Sequence, residues 1–299
     1  MPSKQKNFTS LLELQTEIPN EQAAIDHFTA IRWKNGEFCP YCGHDRIYHF
    51  DDKRTHKCAK CRQRFSIKVG TIFEDSKLPL RTWMMAVWFV SSHKKSISSV
   101  QLAKDLGVTQ KTAWFVMHRL RHAARTRSFN RQLRGTIEAD ELYVGGREKN
   151  KHVDKRGLQK KAILFGALER KGELRVTHID SIWQAPRHVV AHVAPGSTLM
   201  TDEMPGYKRI GQNFDHQTIN HRSHEYARGN THTNSIEGYW SQLKRQIYGI
   251  HHWVSQKHLF RYAAESVWRY NRRGLEENMR FNELLAITDG RLRYAELIA

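Results

Sequence analysis

Thr136-Ile137-Glu138-Ala139-Asp140-Glu141-Leu142-Tyr143-Val144 is the stretch on which the fold turns. It reads as a strand, and Gly145-Gly146 ends it. Downstream, residues 147–160 are basic and contain Gly157, as an exposed loop would. Residues 161–169 and 173–180 form a hairpin around Lys171-Gly172. A helix over 185–193, a strand over 197–201, a short helix over 205–213 and a short strand over 217–220 follow. Two long helices, about 233–247 and 255–272, come next, with a further helix at the end. The order is β-β-β-α-β-α-β-α.

Three meandering strands followed by crossover helices are the chain order of a ribonuclease-H-like sheet. Upstream of residue 136 the pattern changes. Residues 126–135 (TRSFNRQLRG) are polar and basic and serve as a linker. Before them, residues 20–35 read as an amphipathic helix, with Asn20 as cap, Ala24, Ile25, Phe28 and Ile31 at helical spacing, and Gly36 at its stop. Short β-type pieces lie at 46–50 and 64–69. Pro79 opens an apolar helix to about residue 92, and two helices between Ser96 and Arg125 are separated by Gly107.

The 299 residues carry 49 Lys and Arg against 30 Asp and Glu, a net +19 with the 18 His neutral. Such an excess points to a polyanionic partner. No apolar run approaches the ~20 residues of a spanning helix, and the first thirty residues lack a signal-peptide core, so nucleic acid is expected and membrane is not. A hydrophobic fraction of 39%, with eight Trp and thirteen Phe, excludes a disordered basic tail. Four Cys are too few for a disulfide-stapled secreted chain, which favours a reducing cytoplasm. Residues 1–135 hold 24 basic and 11 acidic side chains, net +13, against 25 and 19, net +6, in the rest. The front of the chain is therefore the expected main grip on nucleic acid.

All four cysteines fall in one pattern, Cys39-Pro-Tyr-Cys42, fifteen residues, Cys58-Ala-Lys-Cys61. Two C-x-x-C turns supply the four corners of a structural Zn²⁺ site, with no position left open for catalysis. Arg46, Lys53, Arg54, Lys57, Lys60, Arg62 and Arg64 make this ribbon basic. Further on, Ser98 to Trp114 has the logic of a helix-turn-helix: Val100, Ala103 and Leu106 pack the first helix, Gly107 turns, Val108 plugs the gap and Thr109 caps the second. On that helix Ala113, Val116 and Leu120 face inward, and Gln110, Lys111, Arg119 and Arg121 face solvent. Gln110, Lys111 and Thr112 lie at the end nearest base edges, so these residues and Arg119 are the expected DNA contacts.

Phosphodiester chemistry can use two divalent cations about 4 Å apart, held by carboxylates. In a ribonuclease-H-like sheet these come from the first strand, the end of the fourth strand and a later helix. Here those places hold Asp140, Asp202 and Asn234-Ser-Ile-Glu237, with 62 residues from Asp140 to Asp202 and 35 on to Glu237. Asn234, Glu237, Ser241 and Lys244 share one helix face, so Lys244 can reach a phosphate while Glu237 holds metal. Glu138, two residues before Asp140 on the same strand face, is the nearest competitor for the first position. The basic loop, with Lys149 and Lys151, is a candidate grip on the DNA backbone, and Arg245 extends the contact at Lys244.

RWKNGEFCPYCG, GTIFEDSKLPLRTWMMAVW, QLAKDLGVTQKTAWFVMHRLR, IEADELYVGG, HTNSIEGYWSQLKR and QKHLFRYAAESVWRYNRR, in this order over residues 22–273, resemble bacterial insertion-sequence transposases with an N-terminal zinc ribbon and an ISXO-like DDE domain. The resemblance implies an enzyme that binds the ends of its element, nicks them and joins them to target DNA, using two Mg²⁺ or Mn²⁺ ions. It places the first Asp on Asp140, the second on Asp202 and the Lys on Lys244. Relatives carry Asn or Glu at the third position; this chain has both Asn234 and Glu237, and the anion is the better Mg²⁺ ligand. It further implies a homo-oligomer, at least a dimer on double-stranded DNA, in the bacterial cytoplasm at the nucleoid.

The expected architecture is a multidomain α+β chain: a helical segment at 1–36, the zinc ribbon at 37–75, the helix-turn-helix region at 76–130 and an α/β ribonuclease-H-like domain at 131–299. Two other readings stay open. A transcription regulator would use ribbon and helix-turn-helix without catalysis. A histidine-metal nuclease would use His216, His221, His224, His232, His251 and His252.

Overall fold

The computed structural model describes residues 8–125, 131–145, 161–219 and 227–298. The chain divides into two compact units, Met1–Thr126 with Arg272–Ala299, and Arg127–Asn271.

The first unit begins with α1 (Leu11–Glu17), which the apolar pattern alone does not announce. Its signal is a reciprocal cap: Ser10 Oγ accepts from Glu13 N at 3.2 Å while Glu13 Oε2 accepts from Thr9 N at 2.6 Å. In α2 (Glu21–Arg32) Asn20 caps as expected, accepting from Ala23 N at 2.9 Å. A three-stranded antiparallel sheet follows, β1 (Ile47–His49), β2 (Thr55–Cys58) and β3 (Arg64–Ser66). The middle strand, polar in sequence, is the one that periodicity missed. It forms because Asp52 builds a turn, accepting from Arg54 N, Thr55 N and Thr55 Oγ1 at 2.9, 2.9 and 2.6 Å.

Pro79 opens α3 (Leu80–Ser92), whose first N–H groups donate to Glu21 at 2.7 and 2.9 Å. Then α4 (Ser99–Leu106) meets α5 (Gln110–Ala123) through Gly107, at φ 64°, a conformation that glycine adopts without a Cβ clash. Ser98 and Thr109 cap the two helices. One packing expectation is corrected: Val100 is 55% exposed, and Leu102 fills the core in its place.

The second unit is a five-stranded sheet with helices on both faces. Its strands are β4 (Thr136–Val144), β5 (Ala162–Glu169), β6 (Leu174–Ile179), β7 (Thr198–Thr201) and β8 (Asp215–Thr218), in the order β6-β5-β4-β7-β8. The first three pair antiparallel; β7 and β8 join in parallel. That is the ribonuclease-H-like order. On one face α6 (Ala185–His192) and the 3₁₀ segment Pro205–Asn213 cover Ile137, Ala139, Phe165 and Leu199. On the other, α7 (Asn234–Arg245) and α8 (Gln256–Asn271) cover Leu142, Val144, Leu164 and Leu168. The two sets come from alternate residues of β4, the period-two consequence of a strand buried on both faces.

The end of the chain departs from the expected boundary. Helices α9 (Glu277–Ala286) and α10 (Tyr294–Ile298) do not extend the sheet unit. They return to the first, where α9 packs on α3 and Ile72 N donates to Thr288 O at 2.9 Å. Among the described residues no helix is long and apolar enough to cross a membrane.

Candidate functional site

In the ribbon the four Sγ atoms of Cys39, Cys42, Cys58 and Cys61 lie within 4.8 Å of one another. The closest pairs, Cys39–Cys61 and Cys42–Cys58, are 3.6 Å apart. Tetrahedral zinc at about 2.3 Å from each sulfur requires sulfurs about 3.8 Å apart, so the donor set fits zinc. Burial raises the Cys58 thiol, but the N–H groups of Cys61 and Lys60 outweigh it and lower it, while the crowded sulfurs of Cys58, Cys39 and Cys42 raise Cys61.

The second cluster forms where β4 outruns its neighbour. β7 pairs with β4 only as far as Glu138↔Met200, so Asp140 and Glu141 continue beside the edge at which Asp202 leaves the sheet. Carboxylate oxygens of Asp140, Glu141 and Asp202 lie within 4.8 Å of one another. Asp202 is fixed by accepting from Met204 N at 3.1 Å. Asp140 accepts from Trp240 Nε1 at 3.0 Å. Glu141 accepts from the hydroxyl of Tyr207, a fully buried side chain. Burial first, then the charges of Asp202 and Glu237, raise Asp140 to about 6; burial and the charges of Asp140 and Asp202 raise Glu141 to about 8. Hard oxygen donors crowded at this range suit a divalent cation such as Mg²⁺ or Mn²⁺.

Of the expected acids, Asp140 and Asp202 therefore meet. Glu237 is near enough to act on Asp140 electrostatically but stands outside the tight group, its Oε1 accepting from Thr233 Oγ1 at 2.6 Å. Asn234 is exposed on the first turn of α7, and Lys244 and Arg245 are exposed on its last. Glu138 is no competitor for the metal, since it is fully buried and engaged with Arg170 and the start of α7.

Sequence reasoning passed over Glu141, Tyr207 and Trp240. The available signal was Gly166. It sits opposite Asp140 on β5, and a Cβ there would come within 2.6 Å of the Trp240 ring. A glycine in mid-strand marks such a close approach.

The DNA-contact expectations divide. Gln110 and Lys111 are exposed, the first held by Ser99 Oγ at 2.8 Å and the second 5.7 Å from the centre of the Tyr294 ring. Thr112 is half-buried against the Thr109 hydroxyl. Arg119 is corrected: it is buried, donating to Ile72 O at 2.7 Å and Glu74 O at 3.1 Å, and Arg121 is buried too. Both lie on the inward side of α5, where a guanidinium serves packing rather than DNA. Lys149, Lys151 and the rest of the 147–160 loop lie outside the described residues, as do His221 and His224. Among the described residues no histidine joins a metal-holding group.

Two family models match the chain. Residues 132–271 match the ISXO2-like transposase domain, and residues 19–64 match the transposase zinc-ribbon domain. The chain thus carries an ISXO2-like transposase domain behind a transposase zinc ribbon. A protein of transposable element ISH50 from Halobacterium salinarum, itself uncharacterized, is 29% identical over 265 residues, covering 81% of this chain and 88% of the relative. A chain of a pre-cleavage Mos1 transpososome aligns at 11% identity and a TM-score of 0.26, over 74% of this chain and 82% of that one.

Proposed function

We propose that this chain is a transposase that binds the ends of a mobile element, cuts a strand there and joins the end to target DNA, with Asp140 and Asp202 as the central cation ligands. The meeting of Asp140, Glu141 and Asp202 at the open edge of β4 is the observation that carries the reading. Glu237, on α7 and near enough for its charge to act on Asp140, supplies the helix-borne acid, with Asn234 beside it on the first turn. A divalent cation bound there withdraws charge from a phosphate and lowers the pKa of an attacking water or hydroxyl.

The protein's own groups arrange the rest. Trp240 and Tyr207 hold Asp140 and Glu141 from opposite faces of the sheet, so the acids keep one geometry before substrate arrives. Lys244 and Arg245, two turns along α7, offer charge to the DNA backbone. The exposed Gln110 and Lys111 at the start of α5 take the base-edge role, and the zinc ribbon stabilises the basic end of the chain. Because two ends must be handled together, the working form is a homo-oligomer on double-stranded DNA.

The test is incubation of the purified chain with end-bearing DNA and Mg²⁺, scoring nicked and joined products. Asp140→Asn should lower cleavage by about 10²–10³-fold or more while end binding, measured by gel shift, stays intact. Undiminished cleavage by that variant would refute the assignment.

A further inference from the structure

The start of α7 is capped from outside its own segment, and the arrangement bears on the position of Glu237. A helix leaves its first N–H groups without internal partners, and a Thr at the N-cap ordinarily accepts one of them through its hydroxyl. Thr233 holds the N-cap position and makes no such bond. Its hydroxyl donates instead to Glu237 Oε1 at 2.6 Å. The N–H groups of Ser235 and Ile236 go to Glu138 Oε2, at 2.8 and 3.0 Å, on a carboxylate delivered by β4.

The other oxygen of Glu138 accepts from Arg170 Nε at 2.6 Å and Ser235 Oγ at 3.0 Å. Four donors fill the roughly four lone-pair sites of a carboxylate, so Glu138 has no oxygen left for a cation. Its charge is well placed, at the positive end of the helix and beside a guanidinium. Arg170 also donates to Asn230 O at 2.8 Å and His232 O at 2.9 Å, so the same side chain that balances Glu138 fixes the residues leading into α7.

We propose that Glu138, charge-balanced by Arg170, is a positioning residue: by capping α7 from β4 it leaves the Thr233 hydroxyl to hold the Glu237 carboxylate in one orientation. The proposal rests on the reading of Glu237 as a cation ligand. Without the Glu138 cap, the bare N–H groups would compete for the Thr233 hydroxyl, the usual N-cap acceptor, which in its present orientation reaches Glu237 and caps none of them.

The test uses the zinc-loaded full chain without DNA, following Mn²⁺ binding by the loss of the free-ion EPR signal. Beside it stand the Mg²⁺ concentration for half-maximal nicking and the affinity for end DNA. Glu138→Gln keeps the shape but offers one acceptor oxygen; Thr233→Val keeps the shape and the Glu138 cap but removes the hydroxyl. Each should weaken Mn²⁺ binding and raise the half-saturating Mg²⁺ by about 10- to 100-fold, the range for groups that orient metal ligands. End affinity should not change, and Thr233→Ser should behave as wild type. In a Glu237→Ala background neither substitution should add a further loss, because both act through that acid. Wild-type Mn²⁺ binding by folded Thr233→Val, or losses that add to Glu237→Ala, overturns the proposal, and Thr233→Val decides it if Glu138→Gln fails to fold. A Glu237→Ala chain that binds Mn²⁺ as wild type overturns the reading of Glu237 as well, whereas a weakened Glu237→Ala beside an unaffected Thr233→Val overturns the positioning role alone.

Discussion

The two metal-type clusters of this protein are built on opposite plans. The ribbon draws four soft donors from two tight turns, each turn complete within a few residues, so its geometry is mostly local. The acidic cluster draws its donors from the middle of β4 and the end of β7, and its outer acid from α7, so nothing short of the whole sheet assembles it. A local site lends its metal's binding energy to a small fold whose own apolar cluster, Phe65 with Trp33, Ile47 and Val69 around the cysteines, is slight. A dispersed site works the other way, with the fold holding together charges that repel until a cation arrives. The first should fail by unfolding and the second by losing activity.

Cys58→Ser is the harshest test of that contrast. Structural zinc contributes about 10–16 kcal/mol of apparent binding energy in small zinc modules. The variant should lose zinc by elemental analysis, lose the unfolding transition of the ribbon and bind element ends weakly. Retained full affinity for ends would show that the ribbon has no part in DNA capture.

Gly166→Ala probes the dispersed plan with the least chemistry. The new methyl meets the Trp240 ring, an overpacking that costs about 1–3 kcal/mol. Displacing the indole also removes the hydrogen bond to Asp140. Cleavage should fall by more than thermal stability alone explains, with zinc content unchanged; equal nicking rates in both proteins would show that Trp240 does not matter to the acid.

The smallest effect belongs to Asp52 in the ribbon turn. Hydrogen bonds from Thr55 Oγ1 and from the N–H groups of Arg54 and Thr55 hold its carboxyl at about 2, against an ordinary 3.8. A pKa lowered by folding gives stability that is complete above the unfolded value and fades as pH falls through the folded one. The melting-temperature advantage of wild type over Asp52→Asn should therefore be small, constant above pH 5 and shrinking between pH 4 and pH 2. An advantage independent of pH would remove the charge from the account.

The same contrast explains what could be read from the sequence. The four cysteines, the Asn20 and Thr109 caps, Gly107 and the full extent of β4 follow from local rules and appear where those rules put them. The order of elements was enough to place Asp140 and Asp202 at one edge. What it could not supply was the side of a helix or strand that tertiary packing selects. Arg119 lies on the inward face of α5 because carbonyls of Ile72 and Glu74 await it there. Glu141, which alternation assigns to the face opposite Asp140, returns to the cluster because β7 is too short to intervene and Tyr207 holds it. Strand β2 carries few apolar residues and exists through its turn and its two neighbours.

The return of α9 to the first unit sets a timetable for synthesis. Residues 127–271 can close their sheet as soon as they leave the ribosome, but the face of α3 that α9 covers waits for residue 286. Nearly two hundred residues separate the two helices, and at about 5–20 residues per second the delay is about 10–40 seconds. For most of that interval the sheet unit is itself still being made, and the apolar face of α3 stays without its cover, so the region begun earliest is among the last to be completed.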